Sequence, residues 1–168
     1  MKNLFIATST IATLLLSLST KAQAAQVKEV TFESNDQTLV GNLYLPDDYQ
    51  EGTKLPGTVI TGAWTTVKEQ MPANYAEEMA DRGYAALVFD FRNWGESEGE
   101  QRQLENPANK TEDIVAAAGY LATREEVDAG KIAGLGICAS SGYMADAAVQ
   151  SEDIQSVALV APWLHDRE

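Results

Sequence analysis

The feature that most constrains the fold is an alternation of short apolar runs with helix-like segments after an initial hairpin. Residues 27–32 and 38–45 have the composition of strands, and the polar residues between them are typical of a tight turn. Later strands are predicted at 58–61, 85–89, 131–136 and 156–160, and helices at 74–82, 111–121 and 139–150. This alternation predicts an α/β fold, with a mostly parallel sheet and helices on both of its faces.

Two helix boundaries are predicted from local chemistry. Gly83 follows the first helix as a C-cap, because glycine readily adopts the left-handed conformation that ends many helices. After a glycine- and charge-rich loop over residues 90–106, the next helix is predicted to begin at Thr111. Glu112 and Asp113 would then lie in its first turn, where acidic side chains interact favourably with the helix dipole.

The N-terminal residues follow each other in the order that is typical of a secretory signal peptide. Lys2 precedes an apolar run over residues 4–18, and small residues at 22 and 24 occupy the positions that a signal peptidase reads. The apolar run is too short for a membrane span and is interrupted by Ser and Thr residues, so an uncleaved membrane anchor is the weaker alternative. Residues 1–24 are therefore predicted to be removed. Residues 25–168 then form one α/β domain that is periplasmic or secreted, without stable membrane insertion.

Charge and motifs limit the partners of the chain. It has 12 basic and 25 acidic residues, an excess that repels phosphate backbones and anionic lipids. Nucleic acids and membrane surfaces are therefore disfavoured as partners. The sequence has no cluster with metal-ligand spacing and no phosphate-binding loop, so no cofactor is expected. A small-molecule substrate is the remaining expectation.

The single cysteine lies where this topology concentrates chemistry. Ligands of open α/β sheets bind at the carboxyl ends of the strands, and Cys138 directly follows a predicted strand. In the segment 136–140, Gly136 and Ser140 place small residues two positions before and two positions after the cysteine. This spacing is typical of a nucleophile elbow, a tight strand-to-helix turn that packs those positions against backbone. The N-terminus of the following helix favours a thiolate there.

Two other interpretations of this segment stay open. The residues 138–142 fit the same pattern with Ser140 as the nucleophile, although the length of the preceding strand places the turn nearer Cys138. A buried structural thiol is also common for a free cysteine. The elbow spacing favours Cys138 as the nucleophile, with Ser140 as the second candidate.

Together these features resemble the α/β-hydrolase family, and within it the dienelactone-hydrolase-like branch that has cysteine at the nucleophile position. The resemblance extends from about residue 26 to the end of the chain. It is carried by Gly62-Ala63-Trp64, the loop 90–97, Val127-Asp128 and the elbow with Gly136, Cys138 and Ser140. Ser140 departs from the family pattern, which has glycine at this position.

The resemblance implies further site residues. The oxyanion that forms during acyl transfer is expected to be bound by the backbone N–H groups of Ala139 and Trp64, with Ala63 as an alternative donor. Trp64 also has the alternative role of a packing residue. Structural roles are expected for nearby charged residues: Asp90, Arg92 and Glu96 in shaping a loop, and Lys68-Glu69-Gln70 as a solvated face or a loop anchor.

The sequence offers no strong candidate for the base of a catalytic triad. In α/β-hydrolases the acid and the histidine follow the nucleophile along the chain. The only histidine is His165, and the adjacent Asp166 would point the opposite way on an extended segment. His165 is therefore the weaker candidate. We expect the chain to hold about six of the family's eight strands, with the triad acid and histidine beyond residue 168 and the chain by itself inactive and poorly soluble.

The leading functional prediction is a hydrolase of esters, lactones or related acyl compounds, in which Cys138 attacks the carbonyl carbon. The same groups also serve acyl transfer to another acceptor and peptide cleavage. An alternative from a different class is a relative that binds a small molecule without catalysis.

Overall fold

The computed structural model describes residues 24–164, which are built around one six-stranded sheet. Nearly all of the predicted signal peptide, together with His165 and Asp166, lies outside the described residues. The strands are β1 (Gln26–Ser34), β2 (Gln37–Leu45), β3 (Leu55–Thr61), β4 (Ala85–Phe89), β5 (Val127–Ile137) and β6 (Ser156–Val160). The helices are α1 (Met71–Ala80), α2 (Pro107–Ala122) and α3 (Ser140–Gln150).

The initial hairpin forms where the sequence predicts it. Ser34 pairs with Gln37, so the loop has two residues, Asn35 and Asp36, with φ of 48° and 59°. Two left-handed residues give a type I′ turn, whose twist matches that of the flanking strands. Asn and Asp tolerate this conformation better than most other residues, which explains why they stand there.

The sheet has the order β1-β2-β4-β3-β5-β6. β1 and β2 are antiparallel to each other, and β2 is antiparallel to β4. The pairs β3–β4, β3–β5 and β5–β6 are all parallel. This arrangement confirms the predicted hairpin followed by a mostly parallel sheet.

Helices cover both faces of the sheet, because the central strands are apolar on both sides. α2 and α3 pack on one face against a core that includes Val59, Leu87 and Met144. α1 packs on the other face through three alanines, Ala73, Ala76 and Ala80. Small residues allow this helix to approach the sheet closely, and Gly83, with φ of 86°, follows its end as predicted.

The predicted start of α2 at Thr111 is wrong. The helix begins at Pro107, and the side chain of Asn106 caps it by accepting a hydrogen bond of 3.2 Å from the backbone N–H of Asn109. An Asn cap followed by proline is a stronger start signal than acidic residues alone, because proline needs no amide partner in the first turn. Asp113 therefore lies inside the helix, where it is buried.

β6 forms one edge of the sheet within the described residues, pairing with β5 alone. Its apolar residues are partly exposed, with Val157 at 43%. Across residues 24–164, no helix combines the length and apolar character needed to cross a membrane.

Candidate active site

The turn between β5 and α3 gives Cys138 an unusual backbone conformation. Its φ is 57°, in the left-handed region that residues other than glycine rarely adopt. The residues on either side are regular, since Ile137 ends β5 and Ala139 has the dihedral angles of a right-handed helix. A single strained residue between strand and helix is the geometry of a nucleophile elbow, and strain of this kind concentrates at functional sites.

The small residues around Cys138 let α3 pack directly on β5. A Cβ atom added to Gly136 would lie 2.7 Å from the carbonyl oxygen of Ser140 and 2.8 Å from Cβ of Met144. One added to Gly134 would lie 2.2 Å from the sulfur of Met144. Glycine at 136 is therefore required by close approach of the helix, as the elbow spacing predicts.

The two serines after the elbow are buried. Ser140 is 1% exposed in the first turn of α3, and Ser141 is fully buried. The Ser141 hydroxyl donates a hydrogen bond of 3.0 Å to the carbonyl oxygen of Gly136. Cys138 is only partly buried, so it is the more accessible of the two candidate nucleophiles.

Backbone hydrogen bonds hold the elbow to the segment around β6. The Cys138 N–H donates to the carbonyl oxygen of Val160 at 2.9 Å. The Cys138 carbonyl oxygen accepts from the N–H groups of Ser141 and Trp163, both at 3.1 Å. The conformation of Cys138 is thus fixed from two directions, by its own helix and by the neighbouring strand.

The two residues whose amides are expected to bind an oxyanion line one pocket. Trp64 and Ala139 both contribute to a cavity of about 330 Å³, and Cys138 directly precedes Ala139. Neither backbone N–H donates a hydrogen bond to any of residues 24–164. The Trp64 ring also forms the pocket wall with Trp163, at 5.7 Å between ring centroids. The amide and packing roles of Trp64 are therefore compatible.

A buried lysine anchors the loop that carries Trp64. The Lys68 ammonium lies 3.1 Å from Asp90 Oδ2, and the backbone N–H of Lys68 donates a hydrogen bond of 2.8 Å to Asp90 Oδ1. It also contacts the carboxylates of Glu69 and Glu96. Burial lowers the pKa of Lys68, but these hydrogen bonds outweigh burial and raise the pKa above its usual value. Lys68 is therefore a buried loop anchor, whereas the next two residues, Glu69 and Gln70, are exposed, as the solvated-face alternative has it.

Among the described residues, one group of three carboxylates has metal-like spacing. Oxygen atoms of Glu69, Asp90 and Glu96 lie within 4.8 Å of one another. The Lys68 ammonium contacts all three carboxylates, so it supplies the positive charge that a cation would bring. This donor set is that of a structural ion cluster and does not favour a metal.

A second buried ion pair connects the loop after β4 to α2. Arg92 lies 2.6 Å from Asp113 Oδ1, and the Arg92 backbone N–H donates to Asp113 Oδ2 at 2.9 Å. Ser34 donates to the same carboxylate at 2.7 Å. Burial raises the pKa of Asp113, and the bonds from Arg92 and Ser34 act against this rise. The structural role expected for Arg92 agrees with this geometry.

Sequence reasoning missed two pocket residues and a lysine that contacts one of them. The Tyr143 hydroxyl lies 2.9 Å from Glu105 Oε1, and Lys110 Nζ lies 2.8 Å from Glu105 Oε2. Tyr143 and Glu105 line the same cavity as Trp64 and Ala139. They are separated by 38 positions in the chain. No local pattern connects them, so only the packing of α3 against the start of α2 could bring them together.

The chain has the α/β-hydrolase fold, which it shares with solved structures such as an α/β hydrolase from a Penicillium species. A family model described as X-Pro dipeptidyl-peptidase (S15 family) matches residues 36–167, and the chain belongs to that family. An Escherichia coli (strain K12) protein, the uncharacterized protein YcjY, is 39% identical over 130 residues, which are 76% of this chain and 42% of that protein.

Two solved structures show the same architecture. A hypothetical protein from Pseudomonas aeruginosa, PA2218, is 34% identical with a TM-score of 0.79, covering 84% of this chain and 44% of that one. A dienelactone hydrolase-like phosphotriesterase from metagenomic libraries is 19% identical with a TM-score of 0.70, covering 86% and 62%. The second likeness shows a shared fold only, so the dienelactone-hydrolase-like branch stays a prediction. The chain spans about two fifths of the length of the E. coli and P. aeruginosa relatives.

Proposed function

We propose that Cys138 is the nucleophile of an acyl-transfer enzyme that cleaves esters, lactones or related acyl compounds. The observation that carries the proposal is the left-handed conformation of Cys138, with φ of 57° at a strand-to-helix turn. A structural thiol gains nothing from such strain, whereas an elbow uses it to project the side chain above the sheet. The accessibility of Cys138 relative to the buried Ser140 supports the same choice.

The expected reaction has two steps. The Cys138 thiolate attacks the carbonyl carbon, and the backbone N–H groups of Ala139 and Trp64 donate hydrogen bonds to the oxyanion. The bond to the leaving group then breaks, which leaves a thioester on Cys138. The proton that left the thiol passes to the departing alkoxide, which is released as the alcohol. Water attacks the thioester, which releases the carboxylic acid and restores the thiol. An alcohol or thiol in place of water would make the same site an acyltransferase.

Residues 24–164 contain no histidine. We propose that the base and its acid partner come from the part of the relatives' length that this chain does not span, rather than from His165 and Asp166. Peptide cleavage is the second candidate, because the family description names a peptidase and peptide bonds are cleaved through the same acyl-enzyme. We further propose that residues 1–24 direct export to the periplasm or the medium.

The test is to trap the acyl-enzyme, since the first step needs only a thiolate and an oxyanion site. The chain is mixed with p-nitrophenyl acetate, and release of p-nitrophenol is compared with intact mass and peptide mapping. We expect one acetyl group on Cys138, formed faster than on a small free thiol at the same pH. C138A should not be acetylated at this position, and S140A should behave as the wild type.

Acetylation that follows Ser140 would contradict the assignment of Cys138. A rate at Cys138 no faster than that of the same chain unfolded in urea would contradict a catalytic elbow. In that case, binding of a small acyl ligand without reaction would favour a non-catalytic relative.

A further inference from the structure

Beside the elbow, three polar side chains form a connected set, and two of them, Glu105 and Tyr143, line the pocket. The set consists of Lys110, Glu105 and Tyr143, and we call it the Lys110 cluster. Lys110 Nζ lies 2.8 Å from one oxygen of Glu105, and the Tyr143 hydroxyl lies 2.9 Å from the other. Both carboxylate oxygens are thus occupied, so Glu105 holds one fixed position between a cation and a phenol.

Lys110 is buried, and aromatic rings surround its ammonium group. It is 4% exposed, and its ammonium lies over the rings of Phe91, Trp94 and Tyr143 at 4.6, 5.0 and 5.7 Å. Burial lowers the pKa of Lys110, and the hydrogen bond to Glu105 acts against this effect. Aromatic faces partly replace the lost hydration of the cation, so it can remain a counter-ion to Glu105 inside the protein.

The direction of the Tyr143 hydrogen bond follows from the charge of Glu105. An ionised carboxylate only accepts hydrogen bonds, so the phenol must donate its proton to Glu105. Burial and Glu105 both raise the pKa of Tyr143, and the charge of Cys138 adds to the rise. The phenol therefore stays neutral, and its own oxygen remains able to accept a hydrogen bond from a group in the pocket.

The rest of the pocket wall offers acceptors rather than cations. The acidic side chains that line it are Glu105 and Asp146, and no Lys or Arg among the described residues lines it. The rings of Trp64 and Trp163 supply apolar surface to the same pocket. An acyl group with a negative charge is disfavoured in such a pocket, whereas a neutral group with a hydroxyl is favoured.

We propose that Tyr143, held in place by Glu105 and Lys110, determines specificity by accepting a hydrogen bond from a hydroxyl group on the acyl part of the substrate. The preferred substrates are therefore uncharged hydroxyacyl esters or thioesters. This inference rests on the proposed function, because it assumes that the acyl group is transferred to Cys138. The hydroxyl would lie a few bonds from the carbonyl carbon, since Tyr143 lines the same cavity as Ala139, which directly follows Cys138.

The test compares three p-nitrophenyl esters that differ only in the acyl group: 3-hydroxybutyrate, butyrate and succinate. The measured quantity is the second-order rate constant for acylation of Cys138, from p-nitrophenol release and peptide mapping. We expect the wild type to react about tenfold faster with the hydroxybutyrate than with the butyrate, because one added hydrogen bond stabilises the bound substrate by an amount that corresponds to about this ratio. The succinate ester, which is anionic, should react more slowly than the butyrate.

The informative variant is Y143F, which keeps the ring and removes the acceptor. We expect it to bring the hydroxybutyrate-to-butyrate ratio close to one. Y120F is the matched control, because Tyr120 stacks on Phe32 near the C-terminal end of α2 and does not line the pocket, so it should keep the wild-type ratio. Because an unfolded chain would react with both esters without preference, the ratio is compared only for variants whose circular dichroism matches that of the wild type.

A wild-type ratio near one, or a ratio that Y143F leaves unchanged, would overturn this inference while leaving Cys138 as the nucleophile. Faster reaction with the succinate than with the butyrate would also overturn it. Failure of every ester to acylate Cys138 would overturn the proposed function and this inference with it.

Discussion

The Lys68 ammonium lies 3.1 Å from Asp90 Oδ2, and both side chains are buried, although 22 positions separate them in the chain. The pair joins the loop after β3, which carries Trp64, to the loop after β4. The Glu96 N–H also donates to Asp90 Oδ2 at 2.9 Å. A Cβ atom on Gly95 would lie 2.0 Å from the same oxygen, so glycine at 95 makes room for the carboxylate. One ion pair thus positions two loops at the site.

We expect K68M to destabilise the protein strongly. The substitution leaves the Asp90 carboxylate buried without its cation, which typically costs about 3–5 kcal/mol. The free energy of unfolding in urea measures this cost. E69Q is the matched control, because Glu69 is an exposed partner of the same lysine, and its loss should cost less than about 1 kcal/mol. Equal effects of the two substitutions would show that Asp90 is not the partner that matters.

We expect C138G to be more stable than C138A. Both substitutions remove the thiol, but alanine keeps a Cβ in the left-handed region while glycine adopts this region freely. The difference in the free energy of unfolding should be about 1 kcal/mol in favour of glycine. As a control, A145G within α3 should destabilise by about 0.5–1 kcal/mol, because glycine weakens a regular helix. If C138A were the more stable variant, Cys138 would not hold its left-handed conformation in solution.

We expect G136A to destabilise the contact between β5 and α3. Its new methyl group would lie 2.7 Å from the Ser140 carbonyl oxygen, so the helix must move away from the strand. A loss of about 1–3 kcal/mol is typical of such overpacking, and thermal unfolding by circular dichroism would measure it. G119A is the control, because its Cβ would meet only Asp153 Oδ2 at 3.6 Å and alanine favours the helix. The prediction fails if both variants raise the melting temperature.

The stability supplied by Glu126 should depend on pH. Burial raises the pKa of Glu126, but hydrogen bonds from Lys28 and the backbone outweigh burial, so the pKa lies below its usual value. The folded state therefore favours the carboxylate. Its contribution is present above the usual pKa of glutamate and is lost as the pH falls through the lower pKa of the folded state.

The variant E126Q checks this dependence. At neutral pH we expect it to unfold with a free energy about 1 kcal/mol lower than the wild type, since Lys28 is half exposed and the pair is partly screened. The difference should shrink as the pH falls below the usual range of glutamate. E125Q, at an exposed neighbour, is the matched control for the loss of a glutamate charge at this turn. A difference that grows in acid would contradict the direction of the shift.

Local signals predicted much of the fold. The order of strands and helices, the two-residue turn at Asn35 and Asp36, and the C-cap at Gly83 all follow from residues close together in the chain. The start of α2 was the exception, because Asn106 with Pro107 competes with the acidic residues that follow Thr111. Both segments carry a helix-start signal, and the Asn cap followed by proline is the stronger of the two.

The sequence by itself determined that a cysteine stands between small residues at a strand-to-helix turn, because the turn is built from consecutive positions. Only the tertiary structure decided what surrounds that cysteine. The Lys68–Asp90 pair and the Lys110 cluster join loops and helices that are far apart in the chain. The sequence does not distinguish a charged residue on the surface from one that is buried as a counter-ion. Burial strengthens such a pair, and it arises only when the helices, strands and loops pack together.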